Sequence, residues 1–278
     1  MAVLKVLAYA KLNLVLRVVG RRENGYHLLQ SLFCAVDLAD EVTLEPIPQG
    51  IELFAPPELG RPEENLAYRA ASLLLAGSGR GVRIVLHKKI PVGAGLGGGS
   101  SDAAAVLAGL NVLYGLGKSE AELMALGARL GADVPFFLGK SPAWVEGIGE
   151  RVSPVDLPVP PAFLLVIPPF SSSTAAVYRA FDALGLGFSQ PGSVPPVPPF
   201  QNDLWKPASH LYPELRRLRQ ILEEVPSLGV GMSGSGSTLF LAFSSEAEAE
   251  RAKEELSSRV EAKLHVARPV ERGYKILG

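Results

Sequence analysis

Pro91–Ala104 reads PVGAGLGGGSSDAA and contains five glycines before its first serine. A backbone so free of side chains turns through positive φ and presents bare N–H groups, which suits an anion. Ser100, Ser101 and Asp102 are typical of a helix N-cap and first turn, and apolar residues follow at helical spacing. A phosphate bound here would also meet the positive end of a helix dipole. The stretch predicts a loop that cradles the phosphates of a nucleotide.

Three other interpretations of these glycines are weaker. Gly93, Gly95 and Gly98 match the G-x-G-x-x-G of dinucleotide-binding folds, but no second strand ending in an acid follows about 20 residues later. The P-loop pattern fails because Val112 and Val134 stand where its first glycine is required, ahead of the two Gly-Lys-Ser triplets. A flexible surface loop is seldom so rich in glycine directly before an amphipathic helix.

Composition excludes several classes of protein. The chain has 278 residues and a formal net charge of −1, which fits one large or two ordinary domains and lacks the basic footprint of nucleic-acid binding. Its single cysteine, Cys34, excludes an internal disulfide and favours a reducing compartment. No signal-peptide pattern and no apolar run of membrane-spanning length is present. We expect a cytoplasmic protein without nucleic-acid or membrane partners.

The first half predicts a mainly antiparallel sheet with helices. An Asn-Gly turn at residues 24–25 separates two β-rich runs, Asn65 is typical of a helix N-cap, and Ser119 with Glu122 forms a capping box. Strands are predicted at Val3–Tyr9, Val15–Val19, Leu28–Val36, Glu41–Glu45, Ile51–Phe54 and Gly81–His87, and helices at 65–76, from Ser100 onward, and 119–130.

The proline-rich stretch Pro154–Pro161 predicts a boundary between domains 1–155 and 162–278. Strands alternate with helices after it, which indicates an α+β layer of ferredoxin-like type. A second glycine-rich stretch, Gly229–Thr238, precedes a strand rather than a helix and predicts close backbone approach to another segment. The loop from Gly185 to Pro199 has no core-forming pattern and is expected at the surface.

Three stretches occur together in order and spacing: Ala8–Leu14 (AYAKLNL), Pro91–Ala104 and Gly231–Thr238. This set resembles the GHMP small-molecule kinases. The segments Gly20–His27 (GRRENGYH) and Gly131–Phe137 (GADVPFF) resemble one branch, in which the alcohol substrate carries a cytidine diphosphate group.

The resemblance implies a two-domain α+β fold, with an N-terminal ATP-binding domain that contains a left-handed β-α-β unit and a C-terminal ferredoxin-like domain. It also implies ATP as co-substrate, with Mg²⁺ because the phosphate oxygens carry much charge. No metal ligand is assigned, since Ser100 and Ser101 fit helix capping equally well. The residues implied in ATP binding are Pro91, Val92, Gly93, Ala94, Gly95, Leu96, Gly97, Gly98, Gly99, Ser100 and Ser101.

The implied reaction transfers the γ-phosphate of ATP to a tertiary alcohol. Asp133 is the expected base or orienting group for the hydroxyl, and Lys11 the cation that keeps it ionised. Asn13 is expected to hold the same hydroxyl or the carboxylate. Lys88 matches a family lysine near the phosphates. Without the family pattern, an ordinary strand-end lysine and a turn acid explain Lys11 and Asp133.

The cytosine end of the substrate needs an aromatic ring that stacks on its face and a group that hydrogen-bonds to its edge. Tyr26 and His27 fit these two needs. The resemblance implies a second aromatic ring from the C-terminal domain, for which Tyr178 is the candidate. A kinase acting on homoserine or mevalonate, or a related decarboxylase that phosphorylates its substrate in passing, would not need Tyr26 and His27. A non-catalytic nucleotide sensor would lack the Lys11 and Asp133 pair.

Overall fold

The fold is that of a computed structural model, which describes residues 3–277 and places them in two sheets with helices packed against them. The strands are β1 Leu4–Arg21, β2 His27–Ile47, β3 Ile51–Phe54, β4 Gly81–His87, β5 Ala143–Gly147, β6 Arg151–Pro154, β7 Ala162–Ile167, β8 Gly229–Met232, β9 Leu239–Phe243, β10 Lys263–Ala267 and β11 Tyr274–Leu277. The helices are α1 Leu66–Leu75, α2 Gly98–Leu113, α3 Glu120–Ala128, α4 Val134–Leu138, α5 Thr174–Ala183, α6 Trp205–Leu211, α7 Glu214–Glu223 and α8 Glu246–Leu256.

The first sheet has seven strands in the order β11-β1-β2-β4-β3, with β5 and β6 branching from β2. The β3–α1–β4 segment is a parallel crossover unit. Its caps follow the sequence: Asn65 Oδ1 accepts a hydrogen bond from the Ala67 amide at 2.9 Å, and Ser119 with Glu122 forms the predicted capping box before α3.

One long strand, β1, replaces the two separate strands predicted at Val3–Tyr9 and Val15–Val19. It pairs antiparallel with β2, and its register shifts between Tyr9 and Ala10 and again between Asn13 and Val15. Irregularities of this kind bend a strand and re-aim nearby side chains without ending it. A third shift follows between Val18 and Gly20. Lys11 lies between the first two shifts, so the interruption that the sequence suggested is a change of register within one strand.

The predicted cap of α2 is wrong. The helix begins at Gly98, and its N-cap is Gly97 at φ 74°. Ser101 and Asp102 therefore lie in the second turn, where both are buried. Glycine takes the cap position because the chain must leave the loop through the left-handed region. The helix start thus lies nearer the loop than the serines suggest.

The second sheet has the antiparallel order β10-β7-β9-β8, which with α5 to α8 gives the βαββαβ arrangement of a ferredoxin-like domain. The sequence missed α6 and β8; the two glycines of β8 are poor strand formers that its pairing with β9 holds in place. Residues 274–277 leave this domain, because β11 pairs with Lys5–Ala8 of β1 and packs Tyr274 and Ile276 on the first core. The predicted second domain, 162–278, thus ends inside the first sheet.

A shared apolar cluster joins the two halves. Leu12, Leu14 and Cys34 of the first sheet pack with Phe163 and Phe240 of the second. Among residues 3–277, no helix is long and apolar enough to cross a membrane.

Candidate active site

A single cavity of about 940 Å³ collects most of the predicted site residues from both halves of the chain. Its lining includes Lys11, Asn13, Tyr26, His27, Lys88, Asp133, Tyr178 and every residue from Pro91 to Ser100. Such a volume is at the upper end of the range for small-molecule sites. Ser101 does not line it: its hydroxyl donates a 2.7 Å hydrogen bond to the Tyr9 carbonyl.

Close packing explains the glycines of Pro91–Ser101, which is called the phosphate loop after its predicted role. Gly95 has φ 77°, and a Cβ atom there would lie 2.2 Å from the Ser233 carbonyl oxygen. The loop is held by backbone bonds as well, because the Lys11 amide donates to the Leu96 carbonyl at 3.0 Å and the Thr238 amide to the Ala94 carbonyl at 3.2 Å. The loop thus keeps its shape without side chains of its own.

The second glycine-rich stretch is the segment that presses on this loop. Ser233 Oγ donates to the Gly95 carbonyl at 2.9 Å, and the Gly234 amide donates to Asn13 Oδ1 at 2.7 Å. The predicted close approach of backbone to another segment is therefore correct. Its partners are the phosphate loop and strand β1.

Lys11 and Asp133 come together across the cavity. Lys11 Nζ lies 4.0 Å from Asp133 Oδ2, at the start of α4. The lysine side chain is 4 % exposed and the aspartate 33 %. Burial lowers the pKa of Lys11, and the nearby Asp133 carboxylate opposes that shift. A partly desolvated ammonium beside an accessible carboxylate is suited to stabilising charge that develops on a bound oxygen.

Asn13 is already occupied by protein groups. Its Oδ1 accepts hydrogen bonds from Lys11 Nζ and the Gly234 amide, and its Nδ2 donates to Ser31 Oγ at 2.9 Å. The side chain therefore orients Lys11 and ties β1 to the second glycine-rich stretch. Contact of Asn13 with the substrate hydroxyl or with the Asp133 carboxylate stays a prediction from the sequence.

Lys88 is also engaged within the protein. Its ammonium bridges the Asp40 and Asp102 carboxylates, with Asp102 Oδ2 at 2.5 Å, and its side chain is 11 % exposed. Burial lowers the pKa of Lys88, but the two carboxylates outweigh it and the pKa lies above its ordinary value. Burial, and then the Asp40 carboxylate, raise the pKa of Asp102 to about 7 against the effect of Lys88.

The hairpin between β1 and β2 places its aromatic residues next to α5 of the second domain. The Tyr26 side chain is 62 % exposed. His27 is buried, stacks on Tyr178 with ring centroids 4.8 Å apart, and its Nε2 lies 2.8 Å from Asp182 Oδ1. Burial, and then the Asp133 carboxylate, raise the pKa of the Tyr178 phenol.

Several lining residues were not found from the sequence as site residues. Asn65 was identified only as a helix cap, and Asp182 only as part of a helix. The sequence did not single out Asp40, the buried partner of Lys88, because Asp37, Glu41 and Glu45 are further acids of the same strand β2. The additional lining residues with polar side chains are Arg21, Asn24, Asn65, Asp102, Thr174, Arg179, Asp182 and Ser235.

Family comparison covers both halves of the chain. Residues 65–140 match the GHMP kinases N terminal domain, and residues 199–262 match the GHMP kinases C terminal family. A homoserine kinase from Cytophaga hutchinsonii shares the fold, with a TM-score of 0.69 at 20% identity over 100% of this chain and 98% of the other.

Closer relatives carry one name. The 4-diphosphocytidyl-2-C-methyl-D-erythritol kinase of Thermus thermophilus is 46% identical over 90% of this chain and 91% of its own. That of Neisseria gonorrhoeae is 43% identical over 92% of each chain. A crystal structure of 4-(cytidine 5'-diphospho)-2C-methyl-D-erythritol kinase aligns with a TM-score of 0.79 at 44% identity, covering 95% of this chain and 99% of the other. The chain therefore belongs to the GHMP kinases and, within them, to the 4-diphosphocytidyl-2-C-methyl-D-erythritol kinase family.

Proposed function

We propose that this protein transfers the γ-phosphate of ATP to the 2-hydroxyl of 4-diphosphocytidyl-2-C-methyl-D-erythritol, giving the 2-phosphate and ADP in the methylerythritol phosphate route to isopentenyl diphosphate. The observation that carries the proposal is the Lys11–Asp133 pair, 4.0 Å apart, in the same cavity as the phosphate loop and the Tyr26–His27 hairpin. Relatives named for this reaction at 42–46% identity support it.

The chemistry assigned to the pair follows from the tertiary alcohol. The alcohol oxygen forms a bond to the γ-phosphorus, the bond to the bridging oxygen breaks, and ADP leaves with the electron pair. The alcohol proton passes to Asp133, late in the step if the transition state is loose. Lys11 stabilises negative charge on the alcohol oxygen.

Magnesium is proposed to enter with ATP. It would neutralise charge on the β- and γ-phosphate oxygens. Among the side chains that the structure describes, no group of three histidines, cysteines, aspartates or glutamates could form a dedicated metal site. A nucleotide-borne ion needs only one or two protein oxygens. Asp102 Oδ1 fits that need, because it is buried, without a hydrogen-bond partner, on a residue that lines the cavity.

The cytoplasmic location stays a prediction from the single cysteine.

The deciding experiment measures ADP formation by the purified protein with Mg²⁺-ATP and the cytidine-diphosphate-linked alcohol. Homoserine and mevalonate are tested in parallel as alternative substrates. We expect turnover of the first substrate alone, and a loss of about 10³-fold in kcat for Asp133→Asn. Asp156→Asn is the matched control, because Asp156 is an exposed carboxylate outside the cavity. Turnover of a different alcohol would refute the substrate assignment.

Substrate recognition at the hairpin has a separate test. Tyr26→Ala removes an exposed stacking ring, and base stacking contributes about 1–3 kcal/mol. We expect KM for the cytidylyl substrate to rise about 10- to 100-fold with little change in kcat. Phe54→Ala is the control, since Phe54 is a similarly exposed ring on the edge strand β3 and lies outside the cavity. An unchanged KM in Tyr26→Ala would remove Tyr26 from the substrate site.

A further inference from the structure

Asp182 of α5 connects the second domain to the β1–β2 hairpin. Its Oδ1 lies 2.8 Å from His27 Nε2, and its Oδ2 lies 3.4 Å from Arg21 Nη1. All three residues line the cavity. Arg21 Nε also donates to the Gly25 carbonyl at 3.0 Å, so the same guanidinium braces the hairpin.

The His27 ring is fixed by packing as well as by this contact. Tyr178 stacks on its face at 4.8 Å and 24°, and Phe181 meets it edge-on at 5.7 Å and 80°. The side chain is 7 % exposed. With the ring plane held on both sides, the identity of the protonated nitrogen is decided by the groups at its edges.

A carboxylate accepts hydrogen bonds and donates none when ionised. The hydrogen of neutral His27 therefore lies on Nε2, toward Asp182, and Nδ1 is left as an acceptor. The same arrangement, in which a carboxylate sets the tautomer of a functional imidazole, orients metal-binding and catalytic histidines.

We propose that Asp182 is a positioning residue that holds His27 in the Nδ1-acceptor tautomer, and that the site thereby selects a base with an exocyclic amine over one with a carbonyl at that position. The proposal rests on the proposed function, because it assigns to His27 the edge of the substrate's cytosine. The amine of cytosine donates to Nδ1. The corresponding carbonyl of uracil would place two acceptors face to face and leave both unpaired.

The first test reads the tautomer directly. Long-range ¹H–¹⁵N spectra of the full-length, ligand-free protein at pH 8, with His27 assigned by comparison with His27→Gln, distinguish protonated from bare ring nitrogens. We expect Nε2 protonated and Nδ1 bare in the wild type, and a mixture of tautomers in Asp182→Ala. A wild-type His27 with its hydrogen on Nδ1 would overturn the proposal.

The second test measures base selection. The ratio of kcat/KM for the cytidylyl substrate to that for its uridylyl analogue is expected to fall at least tenfold in Asp182→Ala, mainly through KM, with kcat for the cytidylyl substrate changed less than threefold. Asp182→Asn keeps an oxygen that accepts from Nε2, so part of the selectivity should return. Glu223→Ala, which removes an exposed carboxylate paired with Arg219 on α7, should leave the ratio unchanged.

The variant Arg21→Met distinguishes a purely structural role of Asp182 from its proposed positioning of His27. This change loosens the same docking of hairpin on α5 but leaves the His27–Asp182 contact in place. If Arg21→Met lowers the base ratio as much as Asp182→Ala, or if Asp182→Ala folds and keeps the wild-type ratio, the proposal is wrong. Should Asp182→Ala fail to fold, the wild-type spectrum and Asp182→Asn still decide it.

Failure of the proposed function looks different. Absence of turnover with any cytidylyl alcohol would remove the substrate assignment, while the tautomer spectrum in the ligand-free protein would still report whether Asp182 sets His27.

Discussion

Lys11 and Lys88 both line the cavity, have little exposed side chain and lie beside aspartates. They differ in the number of carboxylates that contact them and in how close those carboxylates are. Lys11 has its carboxylate at 4.0 Å, on a residue that is one-third exposed. Lys88 bridges two buried carboxylates, one of which also accepts from the Lys89 and Ile90 amides. The pKa of Lys11 is lowered, chiefly by burial. That of Lys88 is raised, because its two partners outweigh burial.

These surroundings determine how each ammonium can interact with a ligand. A buried cation with two close carboxylates is already neutralised by the protein. Removing that cation leaves buried negative charge unpaired. A buried cation whose one carboxylate partner lies about 4 Å away can still stabilise negative charge on a bound ligand. We therefore propose that Lys11 takes part in the reaction and that Lys88 supports the glycine loop, where a Cβ on Gly98 would lie 3.4 Å from Lys88 Nζ.

The largest expected effect is on activity. Lys11→Met should lower kcat by about 10³-fold, because the positive charge facing the alcohol oxygen is lost. The free energy of unfolding should change by less than about 1 kcal/mol, since a buried ammonium is replaced by an apolar chain of similar length. Steady-state kinetics and urea unfolding measure the two quantities, with Lys5→Met, an exposed lysine of the same strand, as control. Retained activity would end the distinction between the two lysines.

Lys88→Met should act on stability instead. Removing the shared cation leaves the buried Asp40 carboxylate beside Asp102 without a counter-charge, and we expect unfolding to become easier by about 3–5 kcal/mol. Adding Asp102→Asn to Lys88→Met should recover part of that loss. Lys89→Met, exposed and adjacent, should stay within about 0.5 kcal/mol of wild type. If Lys88→Met instead unfolds like wild type but fails to bind ATP in calorimetry, Lys88 is a phosphate ligand.

Asn13→Ala sharpens the role of Lys11. It removes the hydrogen bonds to Lys11, Ser31 and the Gly234 amide, so unfolding should become easier by about 1–3 kcal/mol and kcat should fall less than in Lys11→Met. Asn111→Ala is the comparison, because Asn111 makes two hydrogen bonds to the Lys118 backbone away from the cavity. It should lose stability without losing activity. Equal activity losses in both variants would mean that Asn13 does not orient Lys11.

A separate effect on stability concerns Asp102 and depends on pH. Burial raises the pKa of Asp102 to about 7, so the folded state binds a proton that the unfolded state has released. The free energy of unfolding should therefore fall as pH rises from about 4 to about 7, by at most about 1.4 kcal/mol per unit from this group. Asp102→Asn should flatten that part of the urea-unfolding profile, and Asp156→Asn should not. A profile that Asp102→Asn leaves unchanged would show that Asp102 is ionised throughout.

Local patterns in the sequence were sufficient for many elements. The strand Gly81–His87, the Asn65 cap and the Ser119 capping box are set by neighbouring residues, and the structure confirms them. The glycine loop was also predictable, because a run of residues without side chains has few other uses before a helix. Its match to a known family placed Lys11 and Asp133 on the candidate site although they lie in distant parts of the chain.

Residue types and their order were therefore sufficient to predict the domain types, the glycine loop and the charged residues proposed for the site. Which of those charges are paired within the protein depends on the folded chain. That Lys88 is paired with Asp40 and Asp102, that Asn13 is bonded to Gly234, and that β11 returns to the first sheet depend on contacts between distant segments. The physical reason is that an ion pair's strength and availability depend on distance and burial, which chain folding sets and residue type does not.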